Sequence, residues 1–221
     1  IPEKQVIYWA IELCEVLSYL HNHKPEPIIF RDMKPSNVMV DQNKHIVLVD
    51  FGIAKVFRGG QKGTMIGTEG YSPPEQYRGE ATPQVDMYAL GATLHHVLTK
   101  RDPRLEAPFT FSERPMKKIN PAVSNQLESV ITTALQYSPL DRFVTIEAMK
   151  EALQKAAMET GYFSKNQSFE TNQINTDGLA IKPLWTFECE DEIRGTPAIN
   201  SSLVYIGAYD NNLYAVNATS G

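Results

Sequence analysis

The sequence is poor in cysteine, in net positive charge and in long apolar runs, and each shortage excludes something. Only Cys14 and Cys189 occur among 221 residues. They lie far apart in segments of different character, which excludes a disulfide framework and fits a reducing compartment. Lys and Arg number 21 against 26 Asp and Glu, a net charge of −5. That balance offers no broad basic face, so neither a nucleic acid nor an anionic membrane is an expected partner. No apolar run approaches the roughly 20 residues that cross a bilayer, and no signal peptide is recognisable. The start at Ile1 and the end at Gly221, inside a repeat-like stretch, lead us to expect a piece of a longer protein. What is present is ordinary for a globular chain: 42% hydrophobic and 21% charged residues, enough for one or two domains with cores of their own.

The apolar period changes along the chain. Val6, Ile7, Ala10, Ile11, Cys14, Leu17 and Leu20 recur at helical spacing, which predicts a helix over 3–21 that ends before Pro25 and Pro27. Ile28-Ile29-Phe30 is a short apolar run. Val38–Val40 and His45–Val49 read as two short strands around a polar turn at Asp41–Lys44. Residues 53–80, rich in Gly, Thr, Pro and charge, read as a long loop, and long loops in compact domains usually carry function. Three helices follow, from Thr82-Pro83 to Thr99, from Ser124 to Gln136 and from Thr145 to Met158, with Thr82 as a cap and Pro83 in the first turn. Residues 159–182 are polar and read as a flexible linker. Beyond them the period is two, which predicts short strands at Leu184–Cys189, Leu203–Ile206 and Leu213–Val216, with turns at Gly195, Gly207 and Asp210–Asn212. Cys14 reads as a buried helix residue. His95 and His96, with no spaced cysteine or acidic partner, read as packing or surface residues rather than zinc ligands.

The chemistry concentrates in Phe30-Arg31-Asp32-Met33-Lys34-Pro35-Ser36-Asn37 and in Asp50-Phe51-Gly52 after the second strand. Asp50 and Asn37 offer a carboxylate and an amide oxygen, the ligands a hard cation such as magnesium prefers. Asp32, five residues before Asn37, is placed to orient and deprotonate a hydroxyl. Lys34 carries a positive charge suited to a transferring phosphate. Gly67-Thr68-Glu69-Gly70-Tyr71-Ser72-Pro73-Pro74-Glu75, Asp86 to Gly91 on a helix, and Asp141-Arg142 complete the series. Taken singly, each is an ordinary turn, a solvated pair or a surface charge; the ordered set is specific.

As an ordered set these motifs resemble the eukaryotic-like protein kinases of bacterial serine/threonine type, over residues 1 to about 158. The resemblance implies a mainly α C-terminal lobe of an α+β kinase-like fold, with ATP and Mg2+ as cofactors and protein Ser/Thr hydroxyls as acceptors. It implies Asp32 as catalytic base, Lys34 as phosphate contact, and Asn37 and Asp50 as magnesium ligands. It implies Thr68 lining the acceptor pocket with bonds to Asp32 and Lys34, Glu75 and Arg142 as a buried ion pair, and Asp86 bracing the catalytic loop. Arg31 is expected to pair with a phosphate on Thr64, helped by Lys55, Arg58 and Lys62. Two positions depart from the pattern. Phe30 stands where His is usual and keeps ring packing, against Phe51, without the imidazole hydrogen bond; Pro73 replaces Ala. A Gly-rich phosphate loop, a strand lysine and its helix glutamate do not occur in the 221 residues; Gly59-Gly60 and Gly63 follow Asp50 and do not supply the loop. The N-terminal lobe is therefore expected to be missing.

Residues 183–221 resemble one blade of a β-propeller built from pyrroloquinoline-quinone-type repeats, on Leu184–Phe187, Gly195–Ile199, Val204–Gly207, Asp210–Val216 and Ser220-Gly221. The resemblance gives no reason to assign the quinone; it implies a ligand- or protein-binding surface completed by further blades. The expected organisation is a kinase lobe (1–158), a linker (159–182) and a short all-β propeller segment (183–221), cytoplasmic throughout. Two functions compete: a Mg-ATP-dependent Ser/Thr kinase, and a pseudokinase scaffold that displays the propeller. The intact set Asp32, Lys34, Asn37 and Asp50 favours the enzyme.

Overall fold

The structure is a computed structural model that describes residues 1–42, 44–50, 55–56, 67–80, 82–163, 185, 187, 198–200, 202–207 and 212–220. The chain divides into two compact units, Ile1–Lys165 and Asn166–Gly221. In the first, α1 (Glu3–His21) leads to β1 (Ile28–Ile29), a 3-10 turn at Pro35–Asn37, β2 (Val38–Val40), β3 (Ile46–Leu48) and β4 (Lys55–Val56). Then come α2 (Pro74–Tyr77), α3 (Pro83–Thr99), α4 (Met116–Ile119), α5 (Asn125–Ala134) and α6 (Ile146–Glu159).

The centre of this unit is α3. Val85 to His95 is buried without interruption, as a helix enclosed on all sides must be. Pro83 starts it with a preset φ. Lys100, left-handed at φ 61°, ends it with its N–H on His96 O at 2.7 Å. Thr82, expected as a cap, makes no side-chain capping bond. Caps do form where Ser124 Oγ accepts from Leu127 N at 3.1 Å and Thr145 Oγ1 from Ala148 N at 3.3 Å, opening α5 and α6.

The apolar stripe of α1 is buried as its spacing predicts, Cys14 included, and burial pushes the Cys14 thiol up. Its polar face is tied to α6 by Asn22 Nδ2 on Glu147 Oε1 at 3.0 Å and by Lys150 with Glu15 at 2.9 Å. Glu12 holds the β2–β3 turn, taking His45 Nδ1 at 2.7 Å and Ile46 N at 3.1 Å. The β2–β3 hairpin is antiparallel, with Val38 opposite Leu48 and Val40 opposite Ile46.

Two expectations are corrected. The stretch 53–80 is not all loop: Lys55–Val56 pairs antiparallel with Ile28–Ile29, and Pro74–Tyr77 is helical. The pairing is long-range, invisible to local periodicity, and Pro74 presets a first helical turn that composition alone reads as loop. In the second unit the strands are β5 (Ala198–Asn200), β6 (Leu203–Gly207) and β7 (Leu213–Asn217), in antiparallel order β5-β6-β7. Gly207 closes β6 rather than turning. Trp185 and Phe187 lie outside any strand; Trp185 Nε1 donates to Ala218 O at 3.0 Å and Phe187 meets Tyr214 at 4.7 Å. The rest of the strand expected at 184–189 lies outside the described residues.

Candidate active site

The segment from Phe30 to Met33 has no regular structure yet runs through the core, so its backbone groups need partners. Side chains from α2 and α3 supply them. Asp86 of α3, fully buried, accepts from Phe30 N at 2.9 Å and Arg31 N at 2.7 Å, and from His21 Nε2 at 2.8 Å. Gln76 of α2 donates to Arg31 O at 3.0 Å, and Thr93 of α3 donates to Met33 O at 3.2 Å. Arg31 sits at φ 66°, a left-handed state that costs a non-glycine residue about 1 kcal/mol or more; the bonds from Asp86 and Gln76 hold it there. Burial lowers the Arg31 pKa, with Asp86 opposing. Asp86 was legible as a brace by resemblance; His21, Gln76 and Thr93 were not. Thr93 alone left a trace, as a polar residue within an apolar helix.

This framework presents Asp32. Its Oδ1 accepts from Thr68 Oγ1 at 2.6 Å, and its Oδ2 accepts from Lys34 Nζ at 2.7 Å and Asn37 Nδ2 at 2.9 Å. Lys34 Nζ also donates to Thr68 Oγ1 at 2.9 Å. The structure thus joins Asp32, Lys34, Asn37 and Thr68 in one network. The Asp32 side chain keeps 10% and that of Lys34 23% of its surface in solvent, so both can meet a ligand from outside.

Asn37 also donates to Asp32 O at 2.9 Å. Both its amide hydrogens are therefore turned toward Asp32, and its amide oxygen faces the other way. Asn37 O accepts from Val49 N at 2.9 Å, which fixes the end of β3 beside Asn37. Asp50 follows directly, exposed and at φ 64°. An outward amide oxygen and an exposed carboxylate, tied through one backbone bond, suit a hard oxygen-seeking cation. Phe51, Gly52, Arg58, Lys62 and Thr64 lie outside the described residues, as does the Lys55 side chain.

Thr68 owes its place to close packing around it. A Cβ on Gly67 would collide with the Ser72 hydroxyl and the Gln76 amide. Gly70, at φ 81°, leaves only 2.6 Å between an added Cβ and Pro103 C. Tyr71 and Ser72 return N–H bonds to Thr68 O, both at 3.1 Å. Tyr71 OH lies 2.5 Å from His96 Nδ1, and burial raises the Tyr71 pKa to about 12, Asp102 adding and Arg104 opposing. His95 is buried and bonds to Arg114 O at 3.1 Å. Glu75 and Arg142 form a bidentate ion pair at 2.5 and 3.0 Å, 1% and 0% exposed, which fastens the segment after Thr68 to the 3-10 turn at Pro139–Asp141.

The protein kinase domain family model matches residues 1–155. The chain is 30% identical over 167 residues to the serine/threonine-protein kinase PknB of Mycolicibacterium smegmatis, covering 69% of this chain and 26% of that protein. It is 36% identical over 154 residues to the serine/threonine-protein kinase PknA of Nostoc, covering 65% and 27%. It is 34% identical over 165 residues to the serine/threonine-protein kinase Pkn1 of Myxococcus xanthus, covering 67% and 23%. The chain spans about a quarter of the length of these relatives. Among the described residues, no helix is long and apolar enough to cross a membrane.

Proposed function

From the premise that the chain belongs to the protein kinase family, we propose that residues 1–158 are the C-terminal lobe of an ATP-dependent protein serine/threonine kinase. The observation that carries this reading is the network in which Thr68, Lys34 and Asn37 all donate to Asp32. A carboxylate held on three sides has one orientation, and an acceptor hydroxyl that displaces Thr68 from Oδ1 meets a base already aimed. Lys34, released toward the transferring phosphoryl group, offsets the charge that grows on its oxygens. Asn37 and Asp50 would hold Mg2+, which when bound would neutralise charge on the phosphate. Thr68 and Lys34, a pair lining the acceptor position, favour Ser/Thr acceptors over Tyr.

The second unit is read as part of one propeller blade. Its three-stranded meander and the aromatic residues on it support that reading, and a single blade needs neighbours to bury its faces. We assign it to binding a ligand or protein, in the same compartment as the kinase lobe. The sparse cysteines support the cytoplasm as that compartment.

The test is phosphotransfer with Mg-ATP and a generic basic protein, followed by phosphoamino acid analysis. The chain carrying an N-terminal kinase lobe upstream of Ile1 is expected to label Ser or Thr. The 221 residues alone, which lack a Gly-rich loop, are expected to label nothing. Robust labelling by the chain alone would overturn the lobe assignment. No labelling by a folded, lobe-complete protein would favour a scaffold.

A further inference from the structure

A cavity of about 140 Å3 opens between α3, the segment 109–116 and the C-terminal end of α5. None of Asp32, Lys34, Asn37 and Thr68 lies in its wall, so it is separate from the candidate active site. The wall is rich in aromatic rings. Phe111, buried, meets Tyr88 and His95 edge-on, with centroids 6.0 and 5.0 Å apart. Phe109 and Tyr137 are exposed and meet edge to face at 5.9 Å. Phe109 is presented at φ 60°, an outlier for a bulky side chain of a kind that concentrates at ligand-binding segments.

Arg114 brings the charge. Its side chain is 9% exposed and its guanidinium lies over Phe111, 4.8 Å from the ring centroid. Among the described residues, Nε is the one side-chain nitrogen of Arg114 with a hydrogen bond, to Thr110 O at 3.3 Å. Nη1 is buried without an acceptor. The Glu106 Oε1 it faces is 3.8 Å away, and that oxygen already takes Arg101 Nε at 2.8 Å. A guanidinium so enclosed normally spends its donors on protein acceptors. His95, the other basic group in the wall, has its pKa lowered by burial and turns Nε2 to Arg114 O. Arg114 is therefore the cation of this cavity.

We propose that the cavity binds a small monocarboxylate carrying one aromatic ring, its carboxylate paired with Arg114 and its ring packed against Phe111, Phe109 and Tyr137. The volume suits one ring, since an apolar cavity of about 150 Å3 holds benzene. A carboxylate suits a guanidinium whose donors are not all spent on the protein. A singly charged head suits the site better than a phosphate dianion, because Glu106 stands beside Arg114. Tyr88, in the same wall, also lies under the Arg142 guanidinium at 4.9 Å, so an occupant sits one ring away from the Glu75–Arg142 pair.

The test uses the full 221-residue chain with phenylacetate as probe, read by ligand-observed NMR and titration calorimetry. Saturable one-site binding is expected, with neutral phenylacetamide at least about tenfold weaker. Arg114→Gln is expected to remove that preference for the acid. Tyr137→Ala, at an exposed position, is expected to weaken both probes and keeps the test open should Arg114→Gln fold poorly. No saturable binding of phenylacetate overturns the proposal. So does equal binding of acid and amide, or binding that Tyr137→Ala leaves unchanged.

Discussion

Replacing Arg142 by alanine is expected to destabilise the first unit by roughly 3–5 kcal/mol. The magnitude follows from what the side chain holds. Two nitrogens engage both oxygens of Glu75 at 2.5 and 3.0 Å. The same guanidinium serves three backbone carbonyls, Gln136 O at 2.7 Å, Gln84 O at 3.1 Å and Tyr137 O at 3.0 Å. Truncation leaves Glu75, 1% exposed, as an interior carboxylate with no counter-charge, and strips three carbonyls of a donor. Against a total of about 5–15 kcal/mol for a typical domain, the loss is large enough to unfold much of the population. Urea denaturation followed by far-UV circular dichroism is the assay, because every helix among the described residues lies in the first unit. The paired change Glu75→Met/Arg142→Met should recover part of the loss, since it removes both buried charges while the three carbonyls stay without that donor. A cost below about 1 kcal/mol for Arg142→Ala, or a double variant as unstable as the two single changes summed, would refute the reasoning.

Thr68→Val keeps the shape and deletes the hydroxyl that bridges Asp32 and Lys34; in a lobe-complete enzyme kcat should fall about 10- to 100-fold, with KM for ATP near the parent value. Gly70→Ala places a Cβ 2.6 Å from Pro103 C at φ 81°, and thermal unfolding should show a loss of more than about 1 kcal/mol. The His95 pKa is lowered by burial, so the unfolded chain takes up its proton first as pH falls. Stability should therefore decline below the ordinary histidine pKa of about 6.5, and His95→Gln should flatten that limb in denaturation curves across pH. His45, raised by its bond to Glu12, acts in the opposite sense: its contribution is full below the ordinary value and lost as pH rises through the folded one, which His45→Gln should abolish.

The long helices were legible because each carries its own period. The stripe from Val6 to Leu20 states a helix, and Pro83, Ser124 and Thr145 mark starts to within a residue. Elements defined by distant partners were not. Ile28–Ile29 becomes a strand only through Lys55–Val56, and α2 appears within a stretch whose composition reads as loop. The candidate site divides the same way. Asp32, Lys34, Asn37 and Asp50 cluster in sequence and were named from their chemistry, whereas the junction of Lys34 with Thr68 spans 34 residues and was available only by resemblance. Gln76 and Thr93 satisfy backbone groups of an irregular buried segment and His21 braces the Asp86 carboxylate that does the same, a need that exists only once the chain is folded. Arg114 carries no signal in the sequence, since its unspent donors are a property of packing.

The most direct measurement is phosphotransfer by the lobe-complete protein with Asp32→Asn, beside ATP binding by the same variant. Asparagine keeps the size of the side chain and can still accept from Thr68, but it cannot take a proton. The account predicts a fall in kcat of roughly 100-fold or more, with ATP affinity close to the parent's and the fold intact. Activity within a few-fold of the parent would contradict the assignment of Asp32 as the base and, with it, the reading of this network as a catalytic centre.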